Sequence, residues 1–405
     1  MAGEVTLTTV NNIMKEVYQG RIQDQLQNEI VGIKRIEKTS NGVTSEVGGK
    51  YVTFPVRVKR NPSIGYRNEM EQLQTPGYQG YASVRVGLKY GYGRVRISGQ
   101  TMELAKTNYQ AFANAMDYEV NGLKSDIAKD VNRIFYGDGT GTIATSTALG
   151  SATTTFQTAA NTGAQYVDTS LVVDIVTPAT GAVKATAVTI SAVNKSTGVV
   201  TLGSAQTWAS GDVLVRTGNG RLSSVNREPN GLASIIAATG ALFNIDPATE
   251  ATWAAVVNAN GGTPRALSEG LMIKLTDDVR VNGGNTSLIL TSLGVRRAYF
   301  NLLTQQRRYT DTKEFAGGIR GLAFNNGREI PVVEDVDAPA NKAWFVDEST
   351  LTVYRSTDWS WLDTDGNVWK WLTDYDAFQA VLHSYWELGV NRRNGNGLLA
   401  DITEG

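Results

Sequence analysis

Residues 101–142 read TMELAKTNYQAFANAMDYEVNGLKSDIAKDVNRIFYGDGTGT, and this stretch decides the fold. Met102, Ala105, Tyr109, Phe112, Met116, Val120, Leu123, Ile127, Val131 and Ile134 recur at steps of three and four. That spacing puts them on one face of a single helix from about Thr101 to Tyr136. At 1.5 Å per residue the helix is roughly 50 Å long, beyond the ordinary globular length, which implies a structural spine. Gly122 costs about 1 kcal/mol relative to alanine, and the periodicity outweighs it. The glycines at 137, 139 and 141 follow the helix instead of preceding it. A phosphate loop needs the free N–H groups and positive dipole end of a helix N-terminus. Here the loop meets carbonyls and the negative end, and Asp138 adds a further negative charge. The stretch reads as a helix stop, with Gly137 as the left-handed cap residue and Asp138-Gly139 as a turn.

Working outward, Tyr51–Arg60 alternates as a half-buried strand, with Val52, Phe54, Val56 and Val58 on one side. Pro55 assigns it to an edge. Val84, Val86, Leu88 and Tyr90 repeat the pattern, and a parity slip near Gly91–Gly93 suggests a bulge. These strands predict a two-stranded ribbon from Tyr51 to Ile97 with a polar, tyrosine-bearing tip. Its apolar face (Val52, Phe54, Val56, Val84, Val86, Leu88) has no sequence neighbour to cover it, so an adjacent copy of the chain is expected to do so. Residues 1–50 read as an extended arm holding one short amphipathic segment. Residues 142–230, rich in Ala, Thr, Val, Ser and Gly, read as a small all-β module of short strands. From Gly231 the pattern is mixed: helices over 251–257 and 267–284, a buried strand at 286–292, a helix at 293–303, a hairpin over 318–336, and long strands at the end.

Composition narrows the function classes. The net charge of −1 directs the chain neither to nucleic acid nor to an anionic membrane. There is no cysteine, and His383 is the only histidine, which excludes thiolate and histidine-cluster metal sites. No run reaches the ~20 apolar residues of a membrane span, and the N-terminus does not read as a secretion signal. A soluble protein made in the cytoplasm is expected.

Two stretches invite chemistry. SWLDTDGNVWKW (360–371) suggests a calcium loop on Asp363 and Asp365, or a sugar-stacking platform of Trp359, Trp361, Trp369 and Trp371. Trp369 and Lys370 stand where later calcium ligands belong, and Asp-Gly between aromatic strands is a hairpin signal. The tryptophans are then expected to pack across that hairpin. His383 lies beside Ser384 and Glu387, but no Gly-x-Ser-x-Gly elbow supplies a nucleophile, so it reads as a packed or surface strand histidine. No catalytic, cofactor or metal constellation survives, and the chain is not expected to be an enzyme.

What survives is architectural, and in that order it resembles the major capsid proteins of tailed bacteriophages. The long helix running into IFYGDGTG resembles the family's spine helix and closing loop. EPNGLASII (228–236) resembles the segment that normally follows that loop. GNTSLILTSLGVRRAYFNLL (284–303) is similar to its axial-domain strand and helix. The tail from DVDAPANKAWFVDESTLTVYRSTDWSW to NRRNGNGLLADIT resembles its peripheral strands. The resemblance implies an α+β capsid fold: an N-terminal arm (1–50), an extended loop (51–98), a spine helix of the peripheral domain (99–141), an inserted β domain (142–230), an axial domain (231–335), and peripheral strands with the C-terminal segment (336–405).

It also implies self-assembly into hexamers and pentamers, an icosahedral head around packaged double-stranded DNA held without sequence-specific binding, and no cofactor or membrane. Portal protein and scaffold or decoration proteins are the implied partners, with any scaffold a separate chain. The implied place is the virion, after assembly in the host bacterial cytoplasm. Some relatives join a loop lysine to a neighbour's asparagine; Lys50 or Lys59, with Asn391 or Asn394, stand in such places, and no motif assigns them that role. Two other readings stay open: an encapsulin-type compartment shell, and a carbohydrate- or surface-binding protein using the Trp359–Trp371 hairpin.

Overall fold

A computed structural model describes residues 31–39, 51–100, 109–220, 226–305, 313–315, 319–325, 329–363 and 368–405. Among the described residues a short helix near the N-terminus, Gly32–Thr39, comes first. Strands β1 (Val52–Lys59) and β2 (Gly80–Val86) form the ribbon, and β3 (Lys89–Ser98) leaves it. The long helix runs Tyr109–Tyr136. After it come β4 (Thr142–Thr145), β5 (Gly150–Gln157), β6 (Val172–Val176), β7 (Val183–Asn194), β8 (Val199–Trp208) and β9 (Val213–Arg216). A one-turn helix, Leu232–Ile235, precedes β10 (Val256–Asn258). Two helices, Glu269–Val281 and Leu293–Gln305, flank β11 (Leu288–Thr291). The chain ends with β12 (Lys313–Phe315), β13 (Ile319–Asn325), β14 (Glu329–Glu334), β15 (Ala343–Val346), β16 (Leu351–Trp361), β17 (Lys370–Trp371), β18 (Ala377–Val390) and β19 (Gly397–Leu399). The segment 251–257, expected to be a helix, is a single 3-10 turn at Ala251–Trp253 followed by β10.

The central sheet has seven strands in the order β10-β19-β15-β11-β14-β13-β12. Alternation gives it two faces. Ile289, Val332, Phe345 and Leu399 face the helices 269–281 and 293–305 in one core. Leu288, Leu290, Val333, Trp344 and Val346 face the main core, with Ile33, Ile36, Phe135 and Tyr136. This sheet crosses the boundary expected at 335/336. The all-apolar run of β15 is fully buried, and it sits in the centre of this sheet between β11 and β19.

β4 to β9 form a separate antiparallel sheet in the order β4-β9-β6-β7-β8-β5. It has its own core of Phe156, Val173, Ile175, Val188, Ile190, Val200, Leu202, Trp208 and Leu214. Phe156 and Trp208 rings lie 5.0 Å apart at its centre.

A third sheet is built on the 14-residue β18, which pairs with β3 along one edge and with β16 and then β17 along the other. The long helix lies against its β3 side. Val120, Leu123, Ile127 and Val131 are half-buried there and Ile134 is buried. Met102 lies outside the described residues, as do the side chains of Tyr109, Phe112 and Met116. A Cβ added to Gly93 of β3 would meet Ile127 Cδ1 at 2.5 Å, so glycine is what lets the helix approach the strand. Ile127→Asp is therefore expected to cost about 3 kcal/mol by burying an unpaired charge, while Lys124→Asp on the exposed face costs less than about 0.5 kcal/mol. Thermal melts of the two variants check this; equal shifts would contradict the face assignment.

Candidate assembly interface

The base of the ribbon is anchored within its own chain. Val84 and Val86 are fully buried in the main core, with Val52, Phe54 and Val56 packed against it. The Phe54 ring stacks on Tyr354 at 6.4 Å. Arg85 N–H donates to Phe243 O at 3.0 Å, Thr252 Oγ1 donates to Val58 O, and Lys59 pairs with Glu250 at 3.2 Å. The expectation that this apolar face waits for a neighbour is thus corrected: the main core covers it. Leu88 lies half-buried beyond the ribbon's end. The expected extent 51–98 is corrected too. The paired ribbon stops at Val86, because Gly87-Leu88 breaks the run and β3 pairs with β18 instead.

The tip is different. Between Lys59 and Gly80 the chain is held by local polar turns: Ser63 N–H and Oγ donate to Asn61 Oδ1, and Asn68 N–H and Nδ2 donate to the Glu71 carboxylate. These turns give its apolar side chains nothing to pack on. Ile64, Tyr66, Met70, Leu73 and Tyr78 are each more than 80% exposed. Five large apolar groups on one 20-residue projection form a patch of the kind that marks a protein–protein contact.

A second exposed surface lies on the β3–β18 sheet. Alternation sends Gly91, Gly93 and Val95 toward the long helix and Tyr90, Tyr92, Arg94 and Arg96 the other way. Tyr90 and Tyr92 are 66% and 61% exposed. Tyr385 meets both rings edge-on, at 5.0 Å and 6.1 Å, and His383 sits 5.4 Å from Tyr385. The Arg96 guanidinium lies 5.5 Å above the Tyr375 ring. His383 is thus one ring in an aromatic row. Ser384 faces the opposite side and donates to Thr357 O, so these neighbours form no triad.

The tryptophan hairpin is corrected. Trp361 is opposite Leu382 and Trp371 opposite Phe378, so β16 and β17 lie end to end along one edge of β18 and do not face each other. β18 is long enough to take both. Trp359 packs over Gly91 and the Trp371 ring lies 4.9 Å from Phe378, which leaves no four-tryptophan platform.

At the end of the long helix the chain leaves for the six-stranded unit and returns beside its own exit. Gly139 and Gly141 have positive φ (82° and 80°), while Gly137, expected to carry it, does not. Asn226 Nδ2 donates to Asp138 O. Arg133 Nη2 pairs with Glu228 at 2.7 Å, and both are buried. Burial works against the Arg133 charge, but Asp130 and Glu228 more than offset it and raise its pKa. A Cβ on Gly231 would meet the Ile134 carbonyl oxygen at 2.2 Å, so the returning backbone rests directly on the helix end.

Asn230 N–H donates to Glu387 Oε1 at 2.6 Å. Burial pushes the Glu387 carboxyl up to about 8, against the lowering effects of the Asn230 bond and Lys89. Glu387 therefore holds a proton in the folded state that the unfolded chain releases above about pH 4.5. Its contribution to stability falls as pH rises from about 4.5 to about 8, by up to a few kcal/mol. Glu387→Gln is expected to flatten the decline of the unfolding midpoint between pH 5 and 8. Identical slopes in denaturation series of the two proteins would contradict the assignment.

Sequence patterns did not mark Arg133, Glu228, Arg393 or Asp335, and singled out Glu387 only as a neighbour of His383; each has a partner far away in sequence. The one available signal was KYGYGRV (89–95), where glycine at alternate positions clears one strand face for a close neighbour. Lys59, read as one possible crosslinking lysine, is ion-paired as above, and Lys50 lies outside the described residues.

Comparison with known proteins completes the description. No curated protein matches the chain by sequence. The chain is similar to the "Cyanophage A-1(L) capsid asymmetric unit", at 15% identity over 97% of this chain and 99% of that one, with a TM-score of 0.58. Further similarity is to "The capsid of Myoviridae Phage XM1" (9% identity, 99% and 100% covered, TM-score 0.49) and to the SrpI encapsulin of Synechococcus elongatus PCC 7942 (8%, 99% and 96%, TM-score 0.47). The first of these shows the capsid fold. The sequence model of the SU10 major capsid protein family matches residues 94–367, more than half of the chain. The chain belongs to the SU10 major capsid protein family.

Proposed function

We propose that the chain is the shell subunit of a bacteriophage head, self-associating into hexamers and pentamers that close into an icosahedral capsid around double-stranded DNA. The observation that carries this reading is the family match over 94–367. The role is structural and not enzymatic. A net charge of −1 supports a wall that encloses DNA without holding it tightly. Portal, scaffold and decoration proteins are the further partners, and assembly takes place in the host cytoplasm.

The assembly contact is the ribbon tip, and not the ribbon face of Val52, Phe54, Val56, Val84, Val86 and Leu88. The tip carries its exposed apolar groups beside Arg67, Glu69 and Glu71, and the aromatic sheet face presents the exposed Tyr90 and Tyr92 rings. Matching apolar area favours docking of the tip on that face of a neighbouring copy. The six-stranded unit within 142–230 is a domain inserted between the end of the long helix and Gly231. Its entry and exit lie together, as insertion requires, through the Arg133–Glu228 and Asn226–Asp138 contacts.

Size-exclusion chromatography with light scattering tests the reading. The purified chain is expected to yield closed particles in the megadalton range from a 43.7 kDa subunit. A protein that stays monomeric at high concentration, alone and with a scaffold protein, would overturn it.

A further inference from the structure

We infer that the turn Asp335–Ala338 is a mechanical link through which the position of the six-stranded unit controls the seating of the N-terminal helix. The turn is gripped from three sides. From the N-terminal helix, Gly32 N–H donates to Asp335 Oδ2 at 2.7 Å. From the long helix, Asn132 Nδ2 donates to both Asp335 oxygens and, at 2.8 Å, to Asp337 Oδ2, and Tyr136 O–H donates to Asp335 Oδ2 at 3.0 Å. From the six-stranded unit, Gln165 Nε2 donates to the Val336 and Ala338 carbonyls, and Tyr166 O–H donates to the Asp337 carbonyl at 2.6 Å. The turn also closes on itself, Asp337 N–H donating to Asp335 Oδ1.

The N-terminal helix depends on this turn because it cannot cap itself. The first amides of a helix lack partners within it, and a side-chain oxygen just before the helix usually accepts from them. Val31 has none. Asp335, 303 residues away, takes the Gly32 amide, and Asn132 Oδ1 takes the Ile33 amide at 3.4 Å. The fit is close. A Cβ on Gly32 would meet the Tyr136 hydroxyl at 2.7 Å, and Ile33 and Ile36 are buried in the main core. Asn132 and Asp335 are essentially inaccessible to water, so no solvent molecule substitutes when a bond opens. A shift of the Tyr166 loop pulls on the carbonyls of 336–338. The carboxylate of Asp335, one to three residues away, then moves relative to the helix end. The Arg35–Glu348 pair holds the helix at its middle, so the coupling acts on its first turn.

Hydrogen exchange on the full-length, unassembled chain tests the link. Tyr166→Phe keeps the ring and removes the donor; Gln165→Ala with Tyr166→Phe removes both grips. The double variant is expected to speed exchange of the peptide covering 31–38 roughly tenfold, with β7–β8 and the central sheet unchanged. Asp335→Asn is expected to speed the same peptide. Wild-type exchange there in the double variant, with Asp335→Asn still fast, would show that the six-stranded unit exerts no control. Wild-type exchange in Asp335→Asn would overturn the seating itself. If the double variant does not fold, Tyr166→Phe alone decides, with a several-fold rise for the link and none against it.

Discussion

Replacing residues 60–79 with Asn-Gly is expected to leave a folded, soluble subunit that builds no closed shells. Lys59 and Gly80 are paired across the ribbon, so a two-residue turn joins them without strain. The base keeps its buried contacts, because Val84, Val86 and the bonds to the 243–252 segment lie outside the deletion. The unfolding midpoint is therefore expected to move by no more than a few degrees. The deletion removes Ile64, Tyr66, Met70, Leu73 and Tyr78, all largely exposed in the single chain. Burying each against a neighbour is worth on the order of 1.5–3 kcal/mol, so their loss removes several kcal/mol per subunit contact. Repeated over every subunit of a shell, that loss prevents closure. Electron micrographs of the variant at wild-type concentration provide the check. Intact particles would show that the tip is not an assembly contact.

The second large effect is on the fold itself. Arg393 is 1% exposed and donates to four carbonyls: Ile235 at 2.9 Å, Ser234 and Gly240 at 3.0 Å, and Thr239 at 3.3 Å. Two of these carbonyls end the one-turn helix 232–235, where a cation is favoured. Burial lowers the guanidinium to about 10, and it stays charged at neutral pH. Arg393→Ala strands four buried acceptors and opens a cavity, at a cost of about 3–5 kcal/mol. Arg393→Lys recovers only part of this, because one ammonium cannot reproduce the planar fork. Urea denaturation of the unassembled subunit measures both; a loss below about 1 kcal/mol in Arg393→Ala would contradict the role.

The parts of this fold that were legible in the sequence are those set by local pattern. A stripe at steps of three and four describes a helix packed on one side, and Leu123, Ile127 and Val131 lie where it puts them. Alternation at 52–58 and 84–90 describes a paired ribbon, although the paired strand is Gly80–Val86. Alternation tells which residues share a face but not what covers that face, so the ribbon's cover was misassigned to a neighbour when the main core supplies it. The same limit applies to β18. Its 14 residues pair with β3 on one edge and with two strands on the other, and the Asp-Gly signal near 365 had suggested a different partner. The buried polar anchors were the least legible. NRRNGNG (391–397) has the composition of a solvated loop, yet Arg393 is among the most buried side chains. Asp335 meets Gly32 only because the sheet and the long helix bring together residues 303 apart. Nothing at either position announces the other.

A cryo-electron microscopy reconstruction of particles assembled from the purified chain tests the shell assignment most directly. The expected map shows an icosahedral lattice of hexamers and pentamers, with each tip from Asn61 to Gln79 lying on the Tyr90–Tyr92–Tyr385 face of an adjacent copy. Particles without that lattice, or tips left free in solvent in a closed shell, would contradict it.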